Sequence, residues 1–177
     1  DVTLQLTDDV LYISEIEKVD YKKYPEYFKE NILSDEAAGL HYARLSIAPN
    51  ALFEEMYMTT FKTLDEENDV YKGYEELTTL QNEKNVRRNK FLFNLSRKFD
   101  WGKSLSWYIQ NKFHVEKNVG KITSRNNTMR PLVEFLEYDA SNKTDILQEY
   151  FIPTANFASF VDVLKGIVEE EQLNLLN

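Results

Sequence analysis

The chain has 177 residues, enough for one domain with a sizeable core, and carries a net charge of −9. Because nucleic acids and anionic membranes attract proteins through basic faces, this charge argues against either as the main partner. The chain has no cysteine, which excludes disulfides and cysteine-ligated metals, and no apolar run approaches the roughly 20 residues that span a bilayer.

The first third of the chain predicts a strand, a helix and a second strand. Residues 10–19 are rich in β-branched and aromatic side chains, which favours a strand. Asp20 fits a helix N-cap, and apolar residues then recur at helical spacing as far as Ile32. Apolar and polar residues alternate from Leu40 to Ala48, which predicts a half-buried strand that ends at Pro49.

The middle of the chain predicts a hairpin followed by helices. Residues 55–62 predict a third strand that pairs with the second one across the Pro49–Phe53 turn. Between about residues 69 and 114 the apolar spacing is helical, and Gly102 is the predicted break between two helices. Residues 120–131 lack apolar periodicity and predict a loop, the kind of segment in which binding residues concentrate.

The last third predicts two more strands, at residues 133–138 and 145–152, around a turn at 139–143. A strongly amphipathic helix follows, and a new apolar run at Leu173 resembles the start of another strand. This order parallels the first third. We therefore expect an α+β fold with a mostly antiparallel sheet, helices packed on one face and two β-α-β-like halves.

A polar triplet inside the predicted strand at 145–152 is the main candidate for a functional site. Gln148, Glu149 and Tyr150 interrupt an otherwise apolar run that stops at Pro153. Each unpaired polar group in a buried strand costs roughly 1–3 kcal/mol of stability. Either one face of the strand is therefore exposed to solvent, or the strand lines a functional site. Glu149 is accordingly either a pocket residue or a member of a structural ion pair.

Three further residues are weaker candidates for ligand binding. Arg130 lies between a polar loop and an apolar run, and it could bind an acidic or hydroxylated ligand. Asn127 lies in the same loop. Lys103 follows Trp101, so the two could form a cationic stacking platform, although a Trp at a helix junction is more often a core residue. The two histidines, His41 and His114, are far apart and make a weak case for a metal site, and a lone histidine in such a setting is more often structural than a general base.

The run Gln148–Pro153, followed by an amphipathic helix, resembles a signature of a known enzyme family. The signature is the Glu-Tyr-Phe-Val-Pro type motif in the substrate domain of FAD-linked oxidoreductases of the vanillyl-alcohol-oxidase superfamily, which includes aldonolactone and alditol oxidases. Residues 1–6 resemble the strand by which the FAD-binding domain of this family leads into its cap. Residues 40–46, 129–131 and 134–138 resemble stretches of bacterial members.

The resemblance implies that residues 1–177 form a substrate-binding cap domain cut from a longer FAD-dependent enzyme. The parent would oxidise a hydroxylated substrate (a polyol, a sugar or a lactone-like compound) by hydride transfer to flavin. FAD would be held mainly by a domain of the same parent chain that has no counterpart here, so the segment alone would be inactive. Glu149 would face the flavin as the catalytic residue, and the other candidate residues would bind substrate. These are Gln148, Tyr150, Arg130, Asn127 and Lys103.

A different class of function stays open. The chain could be a non-catalytic α+β domain that binds a ligand or another protein, with Glu149 and Arg130 as a structural pair. Under the enzyme hypothesis we expect a small-molecule substrate, the FAD-binding domain of the same parent as partner, no nucleic acid, no membrane span and a cytoplasmic location.

Overall fold

The computed structural model describes residues 3, 7–65, 72, 74–130, 133–136 and 146–176. Within them, four strands form one antiparallel sheet in the order β2-β3-β1-β4. They are β1 (Leu11–Lys18), β2 (Ala38–Leu45), β3 (Met56–Thr63) and β4 (Ile122–Ser124). The sheet and its accompanying helices confirm the predicted α+β class.

The helices of the described residues vary widely in length. They are α1 (Tyr24–Tyr27), α2 (Tyr74–Thr78), α3 (Val86–Lys98), α4 (Asp100–Ile109), α5 (Val115–Asn118), α6 (Arg125–Met129) and α7 (Phe157–Glu170). A π-helical segment, Phe28–Ile32, continues α1, and a second one, Gln110–His114, continues α4. Short 3-10 turns occur at Pro49–Ala51, Glu134–Leu136 and Thr154–Asn156.

The β2–β3 hairpin forms where the sequence predicts it. The backbone N–H of Ser46 donates to Glu55 O at 2.8 Å, and that of Phe53 donates to Ser46 O at 2.8 Å. Phe53 adopts a φ of 58° and is only 4% exposed. A left-handed conformation is costly for a bulky residue, so burial of the Phe53 ring in the core compensates for it.

The main core lies between α7 and one face of the sheet. Val161 and Val168 of α7 pack with Met56 and Met58 of β3 and with Tyr21, which precedes α1. The hydroxyl of Tyr21 donates to Asp162 at 2.6 Å. This hydrogen bond, together with burial, raises the pKa of Tyr21 to about 12.

Trp107 of α4 contacts the opposite face of the sheet. Because successive strand residues point to opposite faces, Tyr57 lies on the other side of β3 from Met58. The Tyr57 ring is 5.7 Å from that of Trp107, and the Trp107 Nε1–H donates to Glu55 at 2.6 Å. Helical side chains therefore contact both faces of the sheet, where we expected one.

The predicted strands of the last third are wrong where the structure describes them. Residues 146–153 have no regular structure, and Glu134–Leu136 is a 3-10 turn. Residues 137–145, including the predicted turn, lie outside the described residues. A strand needs a neighbouring strand to pair with, and the described part of the run expected to supply it forms a 3-10 turn at Glu134–Leu136. Residues 171–176 also contain no strand, so the second β-α-β half is not observed.

Two predictions in the middle of the chain need correction. The break between α3 and α4 is at Phe99, which is extended (φ −140°, ψ 136°), and Gly102 lies inside α4. A Cβ on Gly102 would collide with the backbone carbonyl of Leu95, so this glycine permits close helix packing. The predicted loop at 120–131 contains β4 and α6.

Candidate functional site

The polar triplet lies on an exposed segment and not in a buried strand. We call Ile146–Phe151 the exposed segment, because Ile146, Leu147 and Phe151 are 85%, 86% and 95% exposed. Gln148, Glu149 and Tyr150 are exposed as well. The ring of Tyr150 lies 5.2 Å from that of Phe160 in α7, which connects the segment to the helix.

Asn127 and Arg130 both bind the connection between α2 and α3. The side-chain oxygen of Asn127 accepts from the backbone N–H of Gln81 at 2.9 Å. Its amide donates to the carbonyls of Leu77 and Thr79 at 3.1 and 3.0 Å. A guanidinium N–H of Arg130 donates to the carbonyl of Gln81. Both side chains thus bind backbone atoms of this connection, and Asn127 also binds the carbonyl of Leu77 within α2.

Lys103 is a buried residue of α4. It is 8% exposed, and its Nζ lies 3.4 Å from Asp100, whose own side chain is 79% exposed. Among the six predicted site residues, the contacts of four fall in three sets. Tyr150 contacts α7, Asn127 and Arg130 share Gln81, and Lys103 pairs within α4.

A polar cleft lies between the sheet and the π-helical Phe28–Ile32 segment. Its volume is about 230 Å³. Strands β1 and β3 form its floor, and the end of α1 with the π-helical segment forms its wall. Its lining residues are Glu15, Glu17, Tyr27, Glu30, Asn31, Ile32, Asp35, Thr60 and Lys62. Irregular helical turns of this kind are frequent at functional sites. We call this the acidic cleft.

A single lysine partly neutralises the acidic cleft. Lys62 Nζ is 3.0 Å from a carboxylate oxygen of Glu15 and 3.0 Å from one of Asp35. Hydrogen bonds to these two carboxylates raise the pKa of Lys62 above its ordinary range. The hydrogen bond from Lys62, followed by one from the backbone of Ala37, lowers the pKa of Asp35. Glu17 and Glu30 add negative charge to the same cleft.

Two further side chains connect the cleft to the core. Burial, and then a 2.7 Å hydrogen bond donated to Glu17, raise the pKa of Tyr27 to about 12, so its hydroxyl stays protonated. Thr60 lines the cleft and bonds His41 Nδ1 at 2.9 Å. The other ring nitrogen of His41, Nε2, is buried and has no hydrogen-bond partner among the described residues. Burial lowers the pKa of His41, so the neutral ring is favoured.

This arrangement suits recognition of a cationic or amine group better than acid–base catalysis. The carboxylates are engaged by Lys62 and Tyr27 or face solvent, and a neutral His41 bonded to Thr60 is the only histidine whose surroundings the structure describes. We did not single out this site from sequence. Glu15 and Glu17 are two residues apart on β1, so both carboxylates lie on one face of the strand. This spacing could have indicated an acidic strand face.

No group of three or more histidine or carboxylate side chains in the described part of the chain could hold a metal ion. None of the helices described combines the length and apolar composition needed to cross a bilayer. No protein-family model, curated protein or solved structure matches this chain. The resemblance to FAD-linked oxidoreductases therefore stays a prediction from the motifs.

Proposed function

We propose that this chain is the substrate-binding cap domain of an FAD-dependent oxidoreductase that oxidises a hydroxylated small molecule by hydride transfer to flavin. The observation that supports this proposal is the exposed segment, in which the signature-like Gln148-Glu149-Tyr150 triplet lies between highly exposed apolar residues. A cytoplasmic location is part of the proposal, and subcellular fractionation tests it.

Exposure of the apolar side chains of the exposed segment to water costs free energy. Burying an Ile, Leu or Phe side chain contributes about 1.5–3 kcal/mol each, and three such residues here are at least 85% exposed. Exposed large apolar side chains that lie close together in the chain are typical of a contact surface. A neighbouring FAD-binding domain of the same parent chain would cover the apolar side chains and leave the polar triplet facing the space between the two domains.

The described residues do not supply a site for the FAD pyrophosphate. Such a site needs a glycine-rich turn at a helix N-terminus. Gly39 and Gly102 are instead packed against Tyr12 and the α3 backbone, Gly120 lies between α5 and β4, and Gly166 lies inside α7. We therefore assign FAD binding mainly to the other domain of the parent.

In this proposal the chain positions the substrate, while the flavin supplies the redox chemistry when bound. The carboxylate of Glu149 accepts the proton of the substrate hydroxyl as a general base. Gln148 and Tyr150 flank it with an amide and a phenol that can bind neighbouring hydroxyl groups. The other predicted substrate residues contribute less to binding in this proposal, because their side chains already have partners in the chain. These residues are Arg130, Asn127 and Lys103.

Anaerobic reduction of the full-length parent by a panel of polyols, sugars and lactones tests this assignment. Glu149→Gln should slow flavin bleaching by roughly 100-fold or more, the scale of a lost general base, while the melting temperature stays unchanged. Glu169→Gln, which removes an exposed carboxylate of α7, is the matched control and should leave bleaching unaffected. Equal effects of the two variants would remove Glu149 from the site.

Hydrogen exchange tests the contact surface separately. In the full-length parent the amides of residues 146–152 should exchange at least about tenfold more slowly than in this chain alone, because a second domain covers them. Equally fast exchange in both proteins would show that this segment is not the contact surface.

The second candidate function is a non-catalytic ligand-binding domain, and the acidic cleft favours it. Four carboxylates with one compensating lysine around a 230 Å³ cleft suit a ligand that carries amine groups. Titration with spermidine, followed by NMR, should shift resonances of cleft residues, and Glu30→Gln should weaken the effect. A colourless parent protein that binds spermidine favours this candidate over the enzyme. Absence of cleft shifts eliminates it.

A further inference from the structure

His41 is a titratable residue that the proposed function does not use. It lies on β2, the edge strand of the sheet. Its ring stacks on that of Tyr24, with ring centres 5.9 Å apart and an angle of 13° between the planes, and its centre is 5.7 Å from that of Phe28. Tyr24 begins α1, and Phe28 begins the π-helical segment that forms part of the wall of the acidic cleft. His41 therefore connects this wall to the sheet.

The two ring nitrogens of His41 have unequal surroundings. Nδ1 lies 2.9 Å from Thr60 Oγ1 on β3, whereas Nε2 is buried and has no hydrogen-bond partner in the part of the chain that the structure describes. A neutral imidazole carries one N–H, which the hydroxyl of Thr60 can accept at Nδ1. A protonated ring carries an N–H on both nitrogens, so Nε2 would become a buried, charged donor without an acceptor. The contact with Tyr24 and Phe28 thus suits the neutral ring.

The surrounding ionisable groups do not offset the cost of a charge on His41. Those that share its side of the sheet are Tyr24 of α1, Glu30 of the π-helical segment, Lys62 of β3, Glu15 and Glu17 of β1, and Asp35. The exposed Glu26 and Lys29 lie on the same helical turns as Tyr24 and Phe28. Stacking on Tyr24 would attract a cation, but burial outweighs it, since burial is the cause that lowers the pKa of His41.

We propose that His41 is a pH switch: when its ring is protonated it leaves its place beside Tyr24 and Phe28, the π-helical segment separates from β2, and the acidic cleft widens. The preceding helix α1 has other attachments. The hydroxyl of Tyr27 donates to Glu17 at 2.7 Å, and the ring of Tyr24 is 4.9 Å from that of Phe157 in α7. We therefore expect a local opening that is confined to the π-helical segment and leaves the sheet formed.

The direction of the pH effect follows from the protons that each state binds. In the closed state burial holds the pKa of His41 below its ordinary 6.5, whereas in the opened state the ring is in water and titrates near that value. Below about pH 6.5 the opened state therefore binds more protons, and the closed state loses stability as the pH falls. At pH 5.5 the equilibrium constant for opening can rise by at most about tenfold, the limit set by an opened ring of ordinary pKa.

Hydrogen exchange followed by NMR at pH 7.5 and pH 5.5 tests the proposal. Protection factors correct for the effect of pH on the intrinsic exchange rate, so they report opening alone. For the amides of residues 28–33 they should fall by about three- to tenfold at the lower pH, while those of β1 and β3 should change less. Unchanged protection at residues 28–33, or an equal fall in β1 and β3, overturns the proposal.

Two substitutions of His41 separate the switch from a general sensitivity to acid. His41→Phe keeps an aromatic ring beside Tyr24, and His41→Gln can keep a hydrogen bond to Thr60, but neither side chain titrates. Both variants should lose the pH dependence of protection at residues 28–33. His114→Gln, which removes the only other histidine of the chain, is the matched control and should retain it. Circular dichroism checks folding, and pH dependence that persists in folded His41 variants overturns the proposal.

Titration of the His41 ring in the unmodified chain gives a check that needs no His41 variant. Its imidazole resonances, assigned by comparison with His114→Gln, should titrate with a midpoint below 6.5. The loss of protection at residues 28–33 should begin below the same pH. A midpoint at or above 6.5 contradicts the proposal. These outcomes are independent of whether the parent protein contains flavin and of whether the acidic cleft binds an amine.

Discussion

The orientation of α7 can be tested by comparing two valines of the same helix. Val161 is 1% exposed and packs with Met56 and Met58, whereas Val163 is 62% exposed. Two residues along an α-helix are separated by about 200° around its axis, so the two side chains point in nearly opposite directions. The substitution Val→Ala removes the same two methyl groups at both positions and should have very different effects.

The magnitude follows from burial. Removing two buried methyl groups costs about 1.6 kcal/mol in transfer free energy, and the cavity left behind raises the loss for Val161→Ala to about 2–3 kcal/mol. Alanine is the better helix former, which offsets up to about 0.6 kcal/mol at either position. Val163→Ala should therefore be neutral or slightly stabilising, and the two variants should differ by about 2 kcal/mol.

Urea unfolding monitored by tryptophan fluorescence measures both free energies of unfolding. The structure predicts that Val161→Ala lowers the transition midpoint and that Val163→Ala leaves it unchanged or raises it slightly. Equal losses, or a larger loss for Val163→Ala, would refute the placement of α7 on the sheet.

Three further predictions test other contacts. The hydrogen bond from Lys18 lowers the pKa of Glu55 below its ordinary 4.5, so its stabilisation is present above about pH 4.5 and is lost as the pH falls through the lower folded value. Urea unfolding should show Glu55→Gln less stable than wild type near pH 6, with the gap shrinking near pH 3; a constant gap contradicts this. Gly102→Ala should destabilise the protein by about 1–3 kcal/mol because its Cβ meets the α3 backbone, whereas Gly166→Ala, with open space around it, should stabilise by up to about 1 kcal/mol. Thermal melts that rank these two glycine variants the other way contradict the α3–α4 packing. Asn127→Ala should lower the melting temperature, because it leaves backbone groups without partners, and a loss of substrate binding with unchanged stability would instead make it a pocket residue.

Sequence patterns located the elements whose own residues carry a strong periodic signal. The strands β1, β2 and β3 follow from β-branched content and alternation, and the hairpin between β2 and β3 follows from Pro49. The apolar spacing of α7 predicts both its existence and its buried side. In these cases the local pattern and the tertiary packing agree.

The sequence predictions fail where the structure depends on residues that are distant in the chain or on the close packing of two backbone segments. The exposed segment has the composition of a buried strand, but composition does not show whether another strand lies beside it to form hydrogen bonds. Strand β4 has only three residues, too few to give a periodic signal in the sequence. Gly102 resembles a helix break in the sequence, although in the structure it allows α4 to pack closely against the α3 backbone. The acidic cleft depends on Lys62 lying between Glu15 and Asp35, a proximity that sheet register creates.

The central claim is that this chain works as part of a flavoprotein, and the flavin content of the purified full-length parent tests it most directly. We predict a yellow protein that releases about one equivalent of FAD on denaturation and is bleached anaerobically by a hydroxylated substrate. A folded, colourless full-length protein that neither retains FAD nor takes it up when FAD is added would contradict the proposed function.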